Sequence, residues 1–148
     1  MNEPATTTPQ DCRFCFSISS RVIASNALAF AIRDAFPVTP LHALVIPHRH
    51  VADFFGLTPE EREACAELIH QLRRDILQED PTVEGFNIGM NVGEMAGQTI
   101  FHCHIHLIPR RRGDVPNPRG GVRMVIPHEG QHMLDVCPFS QEAGTPKP

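Results

Sequence analysis

Phe101-His102-Cys103-His104-Ile105-His106-Leu107 alternates apolar and imidazole side chains without a break. In an extended strand, successive side chains point to opposite faces. Phe101, Cys103, Ile105 and Leu107 therefore share one face, and His102, His104 and His106 the other. The first set reads as core. The second admits three readings: a solvated polar face, a metal site using all three rings, or histidine chemistry on a phosphate or carbonyl. Serine, threonine and lysine serve a solvated face more commonly. Residues two apart on a strand stand roughly 6.6 Å apart along it, so one zinc ion does not easily collect all three rings. The histidines can instead divide the labour, one binding metal and another acting as nucleophile.

Working outward, Val22-Ile23-Ala24 and Leu28-Ala29-Phe30-Ala31-Ile32 are short apolar runs around a hairpin-like turn at Ser25-Asn26-Ala27. His42-Ala43-Leu44-Val45-Ile46 reads as a strand stopped by Pro47. Thr58 and Glu61 form a capping box, with Pro59 at the first helical position. Ala64, Leu68, Leu72 and Ile76 recur at helical spacing, Cys65, Ile69 and Leu77 widen the stripe, and Pro81 lies just past its end. Residues 86–92 and 100–108 are the fourth and fifth strand candidates. The spacing predicts an α+β fold: an antiparallel sheet covered by one long helix, with a short helix near the N-terminus. Residues 1–10 read as a flexible arm, 11–127 as one domain and 128–148 as an irregular tail.

A chain of 148 residues suits one ordinary domain with a real core. Its 41% hydrophobic and 20% charged residues mark it as globular. No apolar run approaches the roughly 18 residues that cross a bilayer. The first ten residues do not resemble a secretory signal, so the expected location is cytoplasmic. A net charge of −4 argues against a nucleic-acid scaffold. Of thirteen basic residues only Lys147 is lysine, which disfavours lysine chemistry. Cys12-Arg13-Phe14-Cys15 is half of a tetrahedral site; alone it leaves zinc, redox chemistry and coincidence open. Arg110, Arg111, Arg112, Arg119 and Arg123 crowd five basic residues into fourteen positions. They read either as a salt-bridged surface or as a polyphosphate contact.

His-Cys-His-Ile-His-Leu-Ile resembles the signature of the histidine-triad (HIT) nucleotide hydrolases and transferases, three histidines alternating with apolar residues. Asp34, the run from His42 to Pro47, His50, Asn91 and Gly97-Gln98-Thr99 resemble family segments in order and approximate spacing. The resemblance spans about residues 12–127. It implies a nucleotide hydrolase that releases AMP from a nucleoside phosphoramidate or dinucleoside polyphosphate. His104 would be the nucleophile, forming a nucleotidyl-histidine intermediate, with His106 and His42 at the phosphate. Relatives that transfer nucleotides to phosphate or sugar phosphate carry glutamine at the third triad position, so His106 favours the hydrolase branch. Asp34 would bind the ribose, Ile32 and Phe14 the base, and Asn91, Gln98 and Thr99 the phosphate side. Cys12 and Cys15 with His50 and His102 would make a closed, structural zinc site. The resemblance further implies a homodimer, with Arg119 or Arg123 reaching substrate across the interface. The competing reading is a zinc-stabilised nucleotide-binding or adaptor module with little turnover.

Overall fold

A computed structural model describes residues 9–15 and 19–127. The chain divides into two compact units, Met1–Arg112 and Gly113–Pro148. The first holds the sheet. Its strands are β1 (Val22–Ser25), β2 (Ala29–Arg33), β3 (Ala43–Pro47), β4 (Val83–Gly89) and β5 (Ile105–Arg111), and its long helix is α1 (Pro59–Glu79). The strands lie in the order β1-β2-β3-β5-β4, every neighbour antiparallel. In the second unit, Gly121–Val125 forms a 3₁₀ helix, preceded by a turn in which the Asn117 side chain accepts from the Arg119 N–H.

α1 begins where the sequence places it. The Thr58 hydroxyl accepts from the Glu61 N–H and the Glu61 carboxylate accepts from the Thr58 N–H, satisfying two otherwise unpaired donors of the first turn. Ala64, Cys65, Leu68, Leu72 and Ile76 form the buried stripe. Leu68, Leu72 and Ile76 are at most 2% exposed, each worth about 1.5–3 kcal/mol of apolar burial. The stripe meets Ala24, Ala29, Ala31, Ala43, Val45, Ile105 and Leu107 from the sheet. Four of those seven are alanine, so the helix can lie close to the strands. The opposite face of β2 and β3 presents Phe30, Ile32, Leu44 and Ile46, which cluster with Cys12, Phe14 and Ile100. That second cluster draws the N-terminal segment onto the sheet.

Three expectations shift, the first in the fourth strand, which runs over Val83–Gly89 rather than 86–92. The short N-terminal helix is represented, among the described residues, by single 3₁₀ turns at Pro9–Asp11 and Ser19–Arg21. The fifth strand begins at Ile105 rather than at residue 100. β3 ends at Pro47, and its pairing with β5 runs only from Ala43↔Leu107 to Val45↔Ile105. Residues 101–104 therefore approach the sheet without a ladder. Their backbone is tied instead by the Cys103 N–H to the Val51 carbonyl at 2.7 Å.

Arg110 donates to Asn87 at 2.6 Å, Arg111 pairs with Asp80 at 2.7 Å and Arg112 with Glu84 at 2.8 Å. For Arg111 and Arg112 the salt-bridged surface is what the fold contains, and Arg110 is held by a side-chain amide. Each engages a residue on β4 or at its approach, across the register that sets Val83 opposite Arg111.

Glu61 also takes two hydrogen bonds of 2.7 Å from the Arg49 guanidinium, which holds its carboxyl below the usual range. The folded state thus releases the Glu61 proton more readily than the unfolded chain does. The contribution is complete at neutral pH and fades as pH falls below about 4.3 and through the lower folded value. Glu61→Gln should therefore lower stability to denaturant at pH 7 and differ less from wild type at pH 3. A stability gap equal at both pH values would refute the ion-pair account.

Candidate active site

The triad segment leaves the loop after β4 and enters β5. Of its apolar set, Cys103 is 2% exposed, Ile105 6% and Leu107 1%, whereas Phe101, also expected in the core, is only half-buried. The three histidines do not share one environment. His102 is fully buried, His104 is buried and His106 is 24% exposed in its side chain.

The backbone fixes the His104 ring. Its Nδ1 lies 2.8 Å from the carbonyl of His102, which can only accept. Nδ1 therefore carries a proton, and the neutral tautomer this contact selects has its lone pair on Nε2. Phe14 stands edge-on to this ring at a centroid distance of 5.2 Å.

His106 is set the other way round. The Val38 N–H donates to His42 Nδ1 at 3.3 Å, so neutral His42 carries its proton on Nε2. That nitrogen lies 2.9 Å from His106 Nδ1 and donates to it, leaving the His106 proton on Nε2. The triad segment thus holds two imidazoles in opposite tautomers, His104 with its proton on Nδ1 and His106 with its proton on Nε2. The register Leu44↔His106 brings His42 to this position. The Asp34 carboxylate faces both rings, 3.6 Å from His42 Nε2 and 4.0 Å from His106 Nδ1. Its other oxygen accepts from the Phe36 N–H at 2.8 Å.

Burial lowers the His42 pKa, and Asp34 opposes that shift in part. Burial pushes His106 down to about 4, helped by His104 and His42 and opposed by Asp34. Both rings are neutral at pH 7, as the tautomer chain requires. The loop before His42 carries strain. Leu41 has φ of 69°, a left-handed conformation unusual for a bulky residue and costing about 1–3 kcal/mol. Its carbonyl accepts from Arg33 at 2.9 Å and its side chain packs against the helix-side core, which together hold it there.

The remaining expected contacts lie on the 91–99 loop. Gly93 and Gly97 have φ of 86° and 87°, which lets the chain turn tightly. Gln98 is buried, accepting from the Gly93 N–H at 2.8 Å and donating to the carbonyls of Ala52 (2.6 Å) and Ile100 (3.1 Å). Its amide shapes the loop. Thr99 and Asn91 are exposed, and Asn91 donates to the Gly97 carbonyl at 3.4 Å. Ile32 is 1% exposed, inside the cluster that contains Phe14. Arg119 and Arg123 belong to the second unit.

Cys12, Cys15, His50 and His102 converge beside the triad, with their ligand atoms all within 4.8 Å of one another. His102 Nδ1 lies 3.4 Å from the Cys12 sulfur and 3.5 Å from that of Cys15, and His50 Nδ1 lies 3.3 Å from Cys15. Zinc bonds of about 2.3 Å to sulfur and about 2.05 Å to nitrogen put the S···N edge of a tetrahedron at roughly 3.6 Å. The observed edges fit that ion. His102 Nε2 donates to the Pro47 carbonyl at 2.9 Å, which leaves its Nδ1 lone pair facing the sulfurs. Burial pushes His102 down to about 4, keeping it neutral as a ligand must be.

A HIT-domain family model matches residues 16–113. The chain belongs to the HIT family. A HIT-like protein of Mycoplasma genitalium is 38% identical over 107 residues, 70% of this chain and 75% of the relative. The asymmetrical bis(5'-nucleosyl)-tetraphosphatase of Schizosaccharomyces pombe is 33% identical over 67% of this chain and 54% of its own length. The AP-4-A phosphorylase of Mycobacterium tuberculosis is 32% identical over 63% and 48%. This HIT chain thus spans about half the length of those two enzymes. A zinc-bound histidine triad protein of Mycobacterium smegmatis superposes with a TM-score of 0.65 at 30% identity, covering 86% of this chain and 98% of that one. The HIT fold, with one long helix on a five-stranded antiparallel sheet, is the one described above.

Sequence reading missed Val38 and Pro47, whose contributions are a backbone N–H and a backbone carbonyl. Pro47 does signal the end of β3, but no one-dimensional feature says which side chain its carbonyl will meet.

The lowered value of His106 sets a testable sign. The unfolded ring binds its proton near pH 6.5 and the folded ring near pH 4, so this histidine stabilises the fold fully above about 6.5 and loses that contribution as pH falls toward 4. ¹⁵N NMR of the ring should show the neutral Nε2–H tautomer at pH 6. A ring already half protonated at that pH would sink this account.

Proposed function

We propose that this HIT protein hydrolyses adenosine nucleotides at the α-phosphate and releases AMP, through a covalent intermediate on His104. The observation that carries the reading is the 2.8 Å contact of His104 Nδ1 with the His102 carbonyl, because it leaves Nε2 as the nucleophile. In the first step His104 Nε2 attacks the α-phosphorus, the bond to the leaving group breaks, and His106 Nε2–H donates toward the departing atom. In the second step water attacks the same phosphorus and frees His104. The covalent intermediate splits one hard displacement into two easier ones. Asp34 binds the ribose hydroxyls, for which a carboxylate supplies paired acceptors. Ile32 and Phe14 line the base site, Thr99 and Asn91 contact the phosphate side, and Gln98 acts by holding the loop that carries them.

Cys12, Cys15, His50 and His102 hold a structural zinc ion. Four protein ligands close its coordination, so zinc ties the N-terminal segment to the triad and takes no part in the displacement. A thiolate site of this kind suits a reducing, cytoplasmic setting. A second copy of the chain pairs along β4, which lies at the sheet edge and exposes Ile88. The tetraphosphatase and the phosphorylase among the relatives both act on dinucleoside polyphosphates by name, which supports that substrate class beside the phosphoramidates.

The deciding assay measures AMP release from an adenosine phosphoramidate and from diadenosine tetraphosphate, with and without inorganic phosphate. Wild type should turn over at least one of them, and His104→Ala should lose about 10⁴-fold in kcat/KM. Turnover that requires phosphate would assign the transferase chemistry. Tight AMP binding with no turnover would leave a binding module. Metal analysis of the same preparation should find one zinc per chain, and a folded, active, zinc-free protein would refute the structural ion.

A further inference from the structure

The turn formed by residues 12–15 touches the nucleophile by two routes. Phe14, between the cysteines, sets its ring edge-on against His104 at 5.2 Å and against His102 at 6.0 Å. His102 supplies both a ligand nitrogen to the metal cluster and the carbonyl that holds His104 Nδ1. The displacement itself uses neither cysteine. Cys15 is exposed, whereas Cys12, Cys65 and Cys103 are buried. The Cys15 N–H donates to the Cys12 carbonyl at 3.0 Å, so both sulfurs sit on one turn, within 4.8 Å of each other.

We propose that the 12–15 turn is an oxidant-sensitive clamp on His104, closed while Cys12 and Cys15 ligate the metal and open once hydrogen peroxide has joined them as a disulfide. The proposal rests on the zinc reading above. The Cys15 thiolate attacks one peroxide oxygen; an S–O bond forms, the O–O bond breaks, and the departing hydroxide takes a proton and leaves as water. The Cys12 thiolate then attacks the Cys15 sulfenic sulfur; the S–S bond forms and a second hydroxide leaves, also as water after protonation. The two sulfurs lose two electrons in all, and one peroxide becomes two waters. A disulfide offers no thiolate, and His50 and His102 alone hold zinc weakly, so the ion departs. Phe14 then loses its anchor beside His104, and the segment bearing the His102 carbonyl loses its tie to the N-terminal turn. In this scheme Phe14, besides lining the base site, positions the His104 ring, and the tautomer signal separates that role from base binding.

The test treats the reduced, zinc-loaded protein with hydrogen peroxide. A chromogenic chelator follows zinc release, peptide mapping locates the disulfide, and ¹⁵N NMR reads the His104 tautomer. AMP release from an adenosine phosphoramidate gives kcat and KM. Zinc release and the Cys12–Cys15 disulfide should appear together, with kcat falling about 10- to 100-fold, as expected when a reacting group is misplaced by about an ångström. The His104 signal should lose its pure Nδ1–H form, and a thiol reductant with zinc should restore both readouts. Phe14→Leu, with zinc bound, should lower kcat and blur the tautomer signal without peroxide. If the disulfide forms and zinc leaves while kcat and tautomer hold, the clamp is refuted and the zinc reading stands. Wild-type kcat and tautomer in Phe14→Leu would also overturn it. A reduced, active protein without zinc would overturn the zinc reading and the clamp with it.

Discussion

The hydrogen bond from His104 Nδ1 to the His102 carbonyl joins the cysteine–histidine cluster of this molecule to the other imidazoles of the triad. It is a local contact, from a ring to the main-chain carbonyl two positions earlier in a segment whose backbone is not taken up by the β3–β5 ladder. The carbonyl belongs to a residue whose ring is itself fixed at both nitrogens, by Pro47 on one side and the cysteine sulfurs on the other. Rotation of His104 would therefore cost its own hydrogen bond and disturb a buried, fully partnered neighbour. In a buried setting an unpaired N–H is expensive, and that makes the tautomer definite.

His106 reaches the opposite tautomer through a longer chain: the Val38 N–H, then both nitrogens of His42. Its members come from the β2–β3 loop, where His42 directly precedes β3, and from β5, so the antiparallel register must be correct for the chain to close. The strain at Leu41 lies at the junction of loop and strand, one residue before His42. The Arg33 hydrogen bond and the packing of the Leu41 side chain offset it locally. Asp34 leaves some negative potential beside the two rings, but burial dominates and both remain neutral.

The platform beneath is built for close approach. Alanines on the inner face let α1 sit near β2 and β3, and the large residues of the same strands face the other way, toward Phe14 and Cys12. One sheet thus has two apolar faces, and the triad segment enters at the end of β3 where the ladder stops. This is why the expected strand over 100–108 became Ile105–Arg111. Alternation predicts which side chains face inward, and that held for Cys103, Ile105 and Leu107. Hydrogen bonding in a ladder depends on a partner in register, and the pairing of β3 with β5 stops at Val45↔Ile105, two residues before β3 itself ends. The same distinction explains Gln98. Its place in a Gly-Gln-Thr segment marks the loop, but only the packing shows its amide buried among Gly93, Ala52 and Ile100.

The sequence by itself determined the strand period, the capped helix with its buried stripe, the antiparallel α+β plan and the residue types of both histidine clusters. These are local properties, set by side-chain spacing of two or 3.6 residues and by a few turn and cap signals. It could not determine that His102 would be fully buried and turned to the sulfurs while His106, four residues on, stays partly open. Nor could it say that Val38 and Pro47 would fix ring tautomers with main-chain groups carried by every ordinary residue. Those outcomes depend on contacts between segments up to 90 positions apart, such as Cys12 with His102. Only the closed sheet brings such segments together, because the register of three strands must be satisfied at once before any of these pairs can form.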